Sequence, residues 1–215
     1  MDPTERAGKY KEKYAQGVII RDHSLEEYNR FLHTAGENQT IEKIIHRILR
    51  RKETCQLLDI GCGNGNALHT LKKLYHSRLI TIGMDLIPPQ QMEGIDTFIE
   101  GDVHAQTIPT ECDLILSFRA LHEMGKIAHL LSRIGESLSK GGRAYAWIRM
   151  RDRIGGKTVF LGEMNETEEK ELISFSSKQH AHYRVLCNPS IMPIKEKETS
   201  STFIAGYSIM LYAPL

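Results

Sequence analysis

Leu57-Leu58-Asp59-Ile60-Gly61-Cys62-Gly63-Asn64-Gly65 is the stretch on which the reading of this chain turns. Two leucines, an acid and an isoleucine make a short buried-strand run. Three glycines at every second position break it, and a helical pattern follows from Ala67. Glycine suits a strand-to-helix turn where backbone must come close to a ligand, because it lacks a Cβ and takes positive φ without strain. Amides at such a helix start favour a polar or anionic ligand. One glycine-rich turn is a weak signal by itself, so the flanking sequence decides.

Outward from that turn, strands and helices alternate. Strands are predicted at 56–60, 79–84, 97–99, 113–118 and 143–149, with helices at 66–76, 88–93 and 124–139 between them. The runs Leu79-Ile80-Thr81-Ile82 and Leu114-Ile115-Leu116 lack apolar–polar alternation, as strands covered on both faces do. Strand–helix–strand repetition implies right-handed crossovers and a parallel, doubly wound sheet. Before it, residues 1–22 read as a polar, partly ordered arm with one apolar patch, Val18-Ile19-Ile20. Ser24 and Glu27 fit a capping box opening a helix over 24–34. A second helix, 39–52, carries Ile41, Ile44, Ile45, Ile48 and Leu49 on one stripe. Its other side holds Lys43, Arg47, Arg50, Arg51 and Lys52, read as a solvated face. After Arg149 we expect a loop, then a helix over 165–178 capped by Asn165, then strands at 182–187 and 202–212. The polar Lys195-Glu196-Lys197-Glu198 joins those last two strands, which suggests a hairpin at the sheet edge with one strand antiparallel. The expected fold is α/β: a doubly wound, mostly parallel seven-stranded sheet with an antiparallel edge strand and an N-terminal helical cap. Residues 1–53 form the arm and cap, and 54–215 a single compact ligand-binding domain.

Composition narrows the class. The 215 residues allow one well-buried domain, with 40% hydrophobic and 26% charged residues, near globular averages. A net charge of +1 argues against a domain whose task is to cover a phosphate backbone, so nucleic acid is an unlikely partner. Cys55, Cys62, Cys112 and Cys187 form no CxxC pair and read as reduced thiols. The N-terminal Met-Asp-Pro-Thr-Glu-Arg has no apolar signal region, and no apolar run approaches the roughly 20 residues that span a bilayer. The expectation is a cytoplasmic protein with no membrane contact, its oligomeric state unknown.

In a doubly wound sheet, ligands bind outside the carboxyl ends of the strands. Gly83-Met84-Asp85 places a carboxylate twenty positions beyond Gly65 (85 − 65), suited to bind ribose hydroxyls through charge-assisted hydrogen bonds. Glu100-Gly101-Asp102-Val103 follows the third strand, and Ser117-Phe118-Arg119-Ala120-Leu121-His122-Glu123 ends the fourth. Leu138-Ser139-Lys140-Gly141-Gly142-Arg143 reads as a glycine stop to the helix before the fifth strand. Each alone suits a loop or cap; their order along successive strand ends is harder to attribute to chance.

In these residues the chain resembles the class I, Rossmann-like, S-adenosylmethionine-dependent methyltransferases, over about 55–150. The resemblance implies S-adenosylmethionine as cofactor. It implies that Gly61, Cys62, Gly63 and Gly65 lie against the cofactor's methionine part, and that Asp59 supports that loop near the amino group. It assigns Asp85, with Leu86, to the ribose hydroxyls, and Asp102 to the adenine amino group with Val103 against the ring. Residues 113–121, including Ser117, would line the methyl-transfer site. Nicotinamide enzymes prefer G-x-G-x-x-G, and here Asn66 holds the third position; a Tyr-x-x-x-Lys pair is also absent.

Methyl transfer from a sulfonium is an in-line displacement on an activated carbon, so the protein mainly supplies alignment and a dry pocket. A hydroxyl or ammonium acceptor must also lose a proton. His122 is the candidate base, against the alternative of a helix-start residue facing solvent; Glu123 is a weaker one. Arg119 and Arg149 either clamp an acceptor carboxylate or phosphate or show charge to water. Arg151 and Arg153 read as solvated rim charges. No Asn/Asp-Pro-Pro-aromatic motif follows the fourth strand, no Pro-Cys nucleophile is present, and Glu123 alone makes no metal cluster. No metal is therefore expected. Only the N-terminal residues and the loop 150–162 remain to cover the pocket, which favours a small-molecule acceptor, anionic if the arginines bind it. A protein acceptor, or a non-catalytic regulator that binds the same cofactor, stays open as an alternative.

Overall fold

A computed structural model describes residues 3–15, 21–34, 37–90, 92–154, 157–196 and 199–215. Three helices open the chain: α1 (Pro3–Ala15), α2 (Leu25–Thr34) and α3 (Ile41–Leu49). Then come β1 (Cys55–Ile60), α4 (Asn66–Tyr75), β2 (Leu79–Asp85), β3 (Thr97–Glu100) and β4 (Cys112–Phe118). The one-turn α5 (Leu121–Met124) and α6 (Ile127–Glu136) lead into β5 (Leu138–Arg149). A small pair, β6 (Arg151–Ile154) and β7 (Lys157–Phe160), precedes α7 (Glu166–Ser177), β8 (Arg184–Glu196) and β9 (Thr199–Tyr212).

The main sheet has seven strands in the order β3-β2-β1-β4-β5-β9-β8. β1, β2, β3, β4 and β5 pair in parallel, whereas β9 runs antiparallel to both β5 and β8. The reversed strand expected at the edge is thus β9, the inner member of the edge pair. The order reverses direction between β1 and β4, which opens a crevice at their carboxyl ends.

The absence of alternation in these strands has a direct cause. Leu57, Leu114 and Leu116 pack against Leu32, Ile41, Ile45, Leu68 and Leu71 of α2, α3 and α4. Their neighbours Leu58, Ile60 and Ile115 pack on the opposite face with Leu130, Leu131, Ile134 and Leu172 of α6 and α7. Successive strand residues point to opposite faces, so a strand covered twice must be apolar throughout. The opening helices therefore share a core with the sheet. Aromatic contacts fix α2 there: Phe31 stacks on Trp147 at 5.1 Å, and Tyr28 meets Phe118 edge-on at 5.1 Å.

Several boundaries differ from the sequence expectations. The polar arm contains α1, while the patch at Val18-Ile19-Ile20 and the linker residues Lys197 and Glu198 lie outside the described residues. No helix forms over the described part of 88–93. Pro88-Pro89 supplies no amides, and beyond it Asp96 holds the loop through Oδ2, which accepts from Thr81 N at 2.8 Å and Thr81 Oγ1 at 3.0 Å. The helix expected over 124–139 is two helices, broken where Gly125 and Lys126 both take positive φ. The amides at the start of α6 are capped from a distance by the Glu168 carboxylate of α7, at 2.9 and 3.0 Å. β5 begins at Leu138, which pairs with Cys112. Gly141 and Gly142 therefore sit at an irregularity inside that strand, where a Cβ on Gly142 would come within 2.7 Å of the Cys112 carbonyl oxygen. The loop expected after Arg149 is the β6–β7 ladder. The last two strands are longer than expected, paired from Arg184↔Tyr212 to Glu196↔Thr199. Local signals were accurate: Ser24 and Glu27 exchange the two bonds of a capping box, and Asn165 Oδ1 caps α7. Among the described residues, no helix is long and apolar enough to cross a membrane.

Candidate functional site

The turn after β1 is held open by what its glycines lack. Gly61, Gly63 and Gly65 have φ of 77, 59 and 76°. A Cβ on Gly61 would fall 2.2 Å from the Ala120 Cβ, and one on Gly63 would fall 2.3 Å from the Arg21 carbonyl oxygen. Gly61 N donates to Met84 O at 2.7 Å, so the turn hangs on the end of β2. α4 then starts at Asn66 with no side-chain cap, which leaves its first amides directed at the crevice.

Two buried carboxylates flank this turn. Asp85, at the end of β2, accepts from Gly63 N at 2.9 Å and Ile87 N at 3.1 Å. Burial pushes its carboxyl above the ordinary range, while Arg21 and the surrounding amides pull it back. Asp59 is 0% exposed; its Oδ2 accepts from the Tyr28 hydroxyl at 2.9 Å and its Oδ1 has no hydrogen-bond partner. Burial raises it to about 7 against the pull of the Tyr28 bond, with the Asp85 charge adding to the rise. Cys62 is buried beside both acids and its thiol is pushed up by burial, so it is no nucleophile.

The other expected cofactor residues take their places around these. Leu86 is half-buried just past Asp85. Asp102 is buried in the turn after β3, where its Oδ1 accepts from His104 N at 2.9 Å, and Val103 packs into the core. Ser117 is 1% exposed and donates to Ile60 O at 2.8 Å, bracing β4 against β1 beneath the turn.

A cavity opens above the carboxyl ends of β1 and β4. Gly61, Gly63, Phe118, Arg119, His122 and Arg149 all line it, and its empty volume is about 880 Å³ including the mouth. His122 is 7% exposed at the start of α5; its Nδ1 is buried without a hydrogen-bond partner and its Nε2 lies 3.7 Å from Glu123 Oε1. Burial lowers its pKa to about 4, and the cations of Arg119, Arg149 and Lys13 reinforce the shift against the pull of Glu123. The imidazole is therefore neutral at physiological pH.

Arg119 follows β4 with a φ of 61°, rare for a residue with a Cβ. Among the described residues no carboxylate lies within ion-pair distance of it, and burial together with Arg149 lowers its pKa. Arg149 is held by Asp152 at 2.7 Å. Arg151 is bound to Glu169 and lies over the Phe160 ring, so it is a structural ion pair and not a solvated rim charge. The side chain of Arg153 lies outside the description.

A second cleft, between Arg47, Arg51, Lys52, Lys140 and Arg143, lies at the opposite ends of the strands. Lys52 is paired with Asp113, and Arg143 with Glu37. Among the described residues, no three His, Cys, Asp or Glu side chains gather in an arrangement that could hold a metal ion.

The sequence reading expected N-terminal residues over the pocket but did not name the ones that line it. Tyr10, Lys13, Arg21 and His23 line the same cavity. Their only sequence signal is indirect: the Ser24 capping box fixes where α2 begins, and so sets residues 21–23 at its entrance.

The sequence matches the model of a family described as a methyltransferase domain, over residues 28–185. No curated protein matches the chain. In shape it is similar to the plantazolicin methyltransferase BpumL, solved in complex with a triazolic desmethylPZN analog and SAH. The identity is 16%, covering 87% of this chain and 86% of that one, with a TM-score of 0.55. It is also similar to the Burkholderia thailandensis 1,6-didemethyltoxoflavin-N1-methyltransferase, solved with 1,6-didemethyltoxoflavin and S-adenosylhomocysteine. Here the identity is 17%, covering 100% of this chain and 91% of that one, with a TM-score of 0.55. At such identities the likeness is one of fold.

The Tyr28–Asp59 pair gives a stability test with a defined sign. Because the folded pKa of Asp59 is raised, its burial is tolerated at low pH and becomes costly as pH rises through about 7. Tyr28→Phe removes the one bond that offsets this cost. The expected loss is about 1–3 kcal/mol at pH 8 and less at pH 6, measured by urea unfolding. An equal loss at both pH values would show that Asp59 is not ionising in this range.

Proposed function

The chain belongs to the methyltransferase-domain family and is a class I S-adenosylmethionine-dependent methyltransferase, and we propose that it methylates a small anionic acceptor held by Arg119. The residues present fit the cofactor. The cradle at Gly61 and Gly63 would be filled by any Cβ, and Asp59 keeps an unpartnered oxygen buried beneath it, suited to a nearby ammonium. We assign Gly61, Cys62, Gly63 and Gly65 to the methionine part, Asp85 with Leu86 to the ribose, and Asp102 with Val103 to the adenine. When bound, S-adenosylmethionine supplies a methyl carbon already activated by the sulfonium.

The chain's own work is then alignment and proton handling. One observation carries the acceptor reading: Arg119 is a half-buried guanidinium with no carboxylate within ion-pair distance among the described residues, beside a second arginine whose charge Asp152 already offsets. An anion there would relieve the desolvated charge and could bind two guanidinium donors at once. His122 faces the same cavity as a neutral imidazole with a free Nδ1. A base with a pKa near 4 cannot ionise a hydroxyl beforehand. It can accept the proton as the attacking atom becomes acidic during transfer, and until then it orients that atom by a hydrogen bond.

The test is an assay with labelled S-adenosylmethionine and fractionated metabolites, followed by variants on the acceptor found. Arg119→Gln should raise KM for that acceptor about tenfold or more, the worth of a lost charged hydrogen bond, and leave cofactor affinity unchanged. Label incorporated only into protein would contradict the small-molecule reading. His122→Ala should lower kcat about a hundredfold, as expected for a lost acid–base group, with cofactor Kd unchanged. In the wild type, protonation of His122 should depress kcat only as pH falls toward about 4. Unchanged turnover in His122→Ala would retire its role.

A further inference from the structure

The segment ahead of α2 enters the cofactor half of the site. Arg21 is 3% exposed, and its Nη2 lies 3.5 Å from Asp85 Oδ1. The same nitrogen donates to Gly63 O at 3.1 Å and to Ile87 O, while Nη1 donates to Pro88 O at 3.4 Å. One guanidinium thus ties the turn after β1 to the loop after β2. The segment is fastened to the turn a second time: Arg21 O accepts from Asn64 N at 3.0 Å, and Asp22 Oδ1 accepts from Asn64 Nδ2 at 2.7 Å. Upstream, Tyr10 lines the cavity and Lys13 pairs with Glu123 at 2.9 Å.

A carboxylate offers about four acceptor positions. Amides of Gly63 and Ile87 take one on each oxygen of Asp85, the Leu86 amide bears on the same carboxylate, and Arg21 Nη2 lies 3.5 Å from Oδ1. We propose that Arg21 is a positioning residue for cofactor binding, pairing with the Asp85 carboxylate and holding it toward the ribose, so that the residues just ahead of α2 are a working part of the cofactor site. This rests on the reading that Asp85 holds the ribose.

The charges around Asp85 explain why a cation is needed. Asp59 of β1 repels its charge, while Tyr10 of α1, Tyr28 of α2 and Cys62 of the turn face it as neutral groups. Arg21 is the cation among these neighbours, and it and the local amides oppose the rise that burial imposes. Without that cation, Asp85 takes up a proton more readily as pH falls. A protonated carboxyl then accepts hydroxyl bonds poorly.

Calorimetric titration of S-adenosylhomocysteine into the full chain tests this, with each variant's affinity taken as a ratio to wild type at pH 8, 7 and 6. Taking the ratio cancels the titration of Asp59. Arg21→Gln should bind about tenfold more weakly at pH 7, the scale of one charge-assisted contact, with the deficit widening toward pH 6. Combined with Asp85→Asn it should add no further loss. Arg21→Lys keeps the cation and loses the fork, so its deficit should be about threefold and flat with pH. Should Arg21→Gln not fold, the lysine variant decides alone, since wild-type affinity in it would overturn the inference. A pH-independent deficit in Arg21→Gln that adds fully to that of Asp85→Asn would make Arg21 a mere strut. If Asp85→Asn itself binds as wild type does, the ribose reading fails first.

Discussion

The amide of Gly63 donates to the carboxylate of Asp85 at 2.9 Å, and the site is assembled around that bond. It joins the glycine turn after β1 to the end of β2, the two strand ends that must agree in position for one ligand to touch both. The bond needs a residue at 63 with φ near 59° and no Cβ, because the Arg21 carbonyl occupies the space a side chain would take. It is strongest to an ionised acid, whose charge burial opposes in that place. Amides and the Arg21 guanidinium make that tolerable. Backbone conformation, close approach and electrostatics are therefore three aspects of one constraint.

The cavity is electrostatically divided. On the side of the glycine turn, two acids, Asp59 and Asp85, are buried behind the lining. Its far half is built on cations, Arg119 and Arg149, with a neutral His122 between them and Glu123. A cofactor with a cationic ammonium and sulfonium suits the first half, and an anionic acceptor suits the second. The boundary falls at Gly61 and Ala120, where the turn after β1 packs against the residue before α5. Burial is the main cause of the low pKa of His122, and the cations on its side of the cavity add to it against the pull of Glu123.

What could be read from sequence was what is local or doubly buried. The strands were legible because both faces of the sheet are covered, which leaves mostly apolar runs without regular polar alternation. The Ser24 and Asn165 caps were legible because a cap is decided within four residues. Expectations failed where a distant partner decides. The loop around Asp96 depends on Thr81, the start of α6 on Glu168, and the two glycines in β5 on the Cys112 carbonyl. Of the site, the turn and Asp85 were visible as pattern and spacing. Arg21 was not, because it stands in a polar segment and meets its acid only after the chain has folded.

The central claim is that the glycine turn and its acids form a site for S-adenosylmethionine and not for a nicotinamide nucleotide. Calorimetry of the purified chain with S-adenosylhomocysteine and, separately, with NADH tests it directly. The account predicts one equivalent of S-adenosylhomocysteine bound and no heat from NADH. Binding of NADH, or failure to bind S-adenosylhomocysteine, would contradict it.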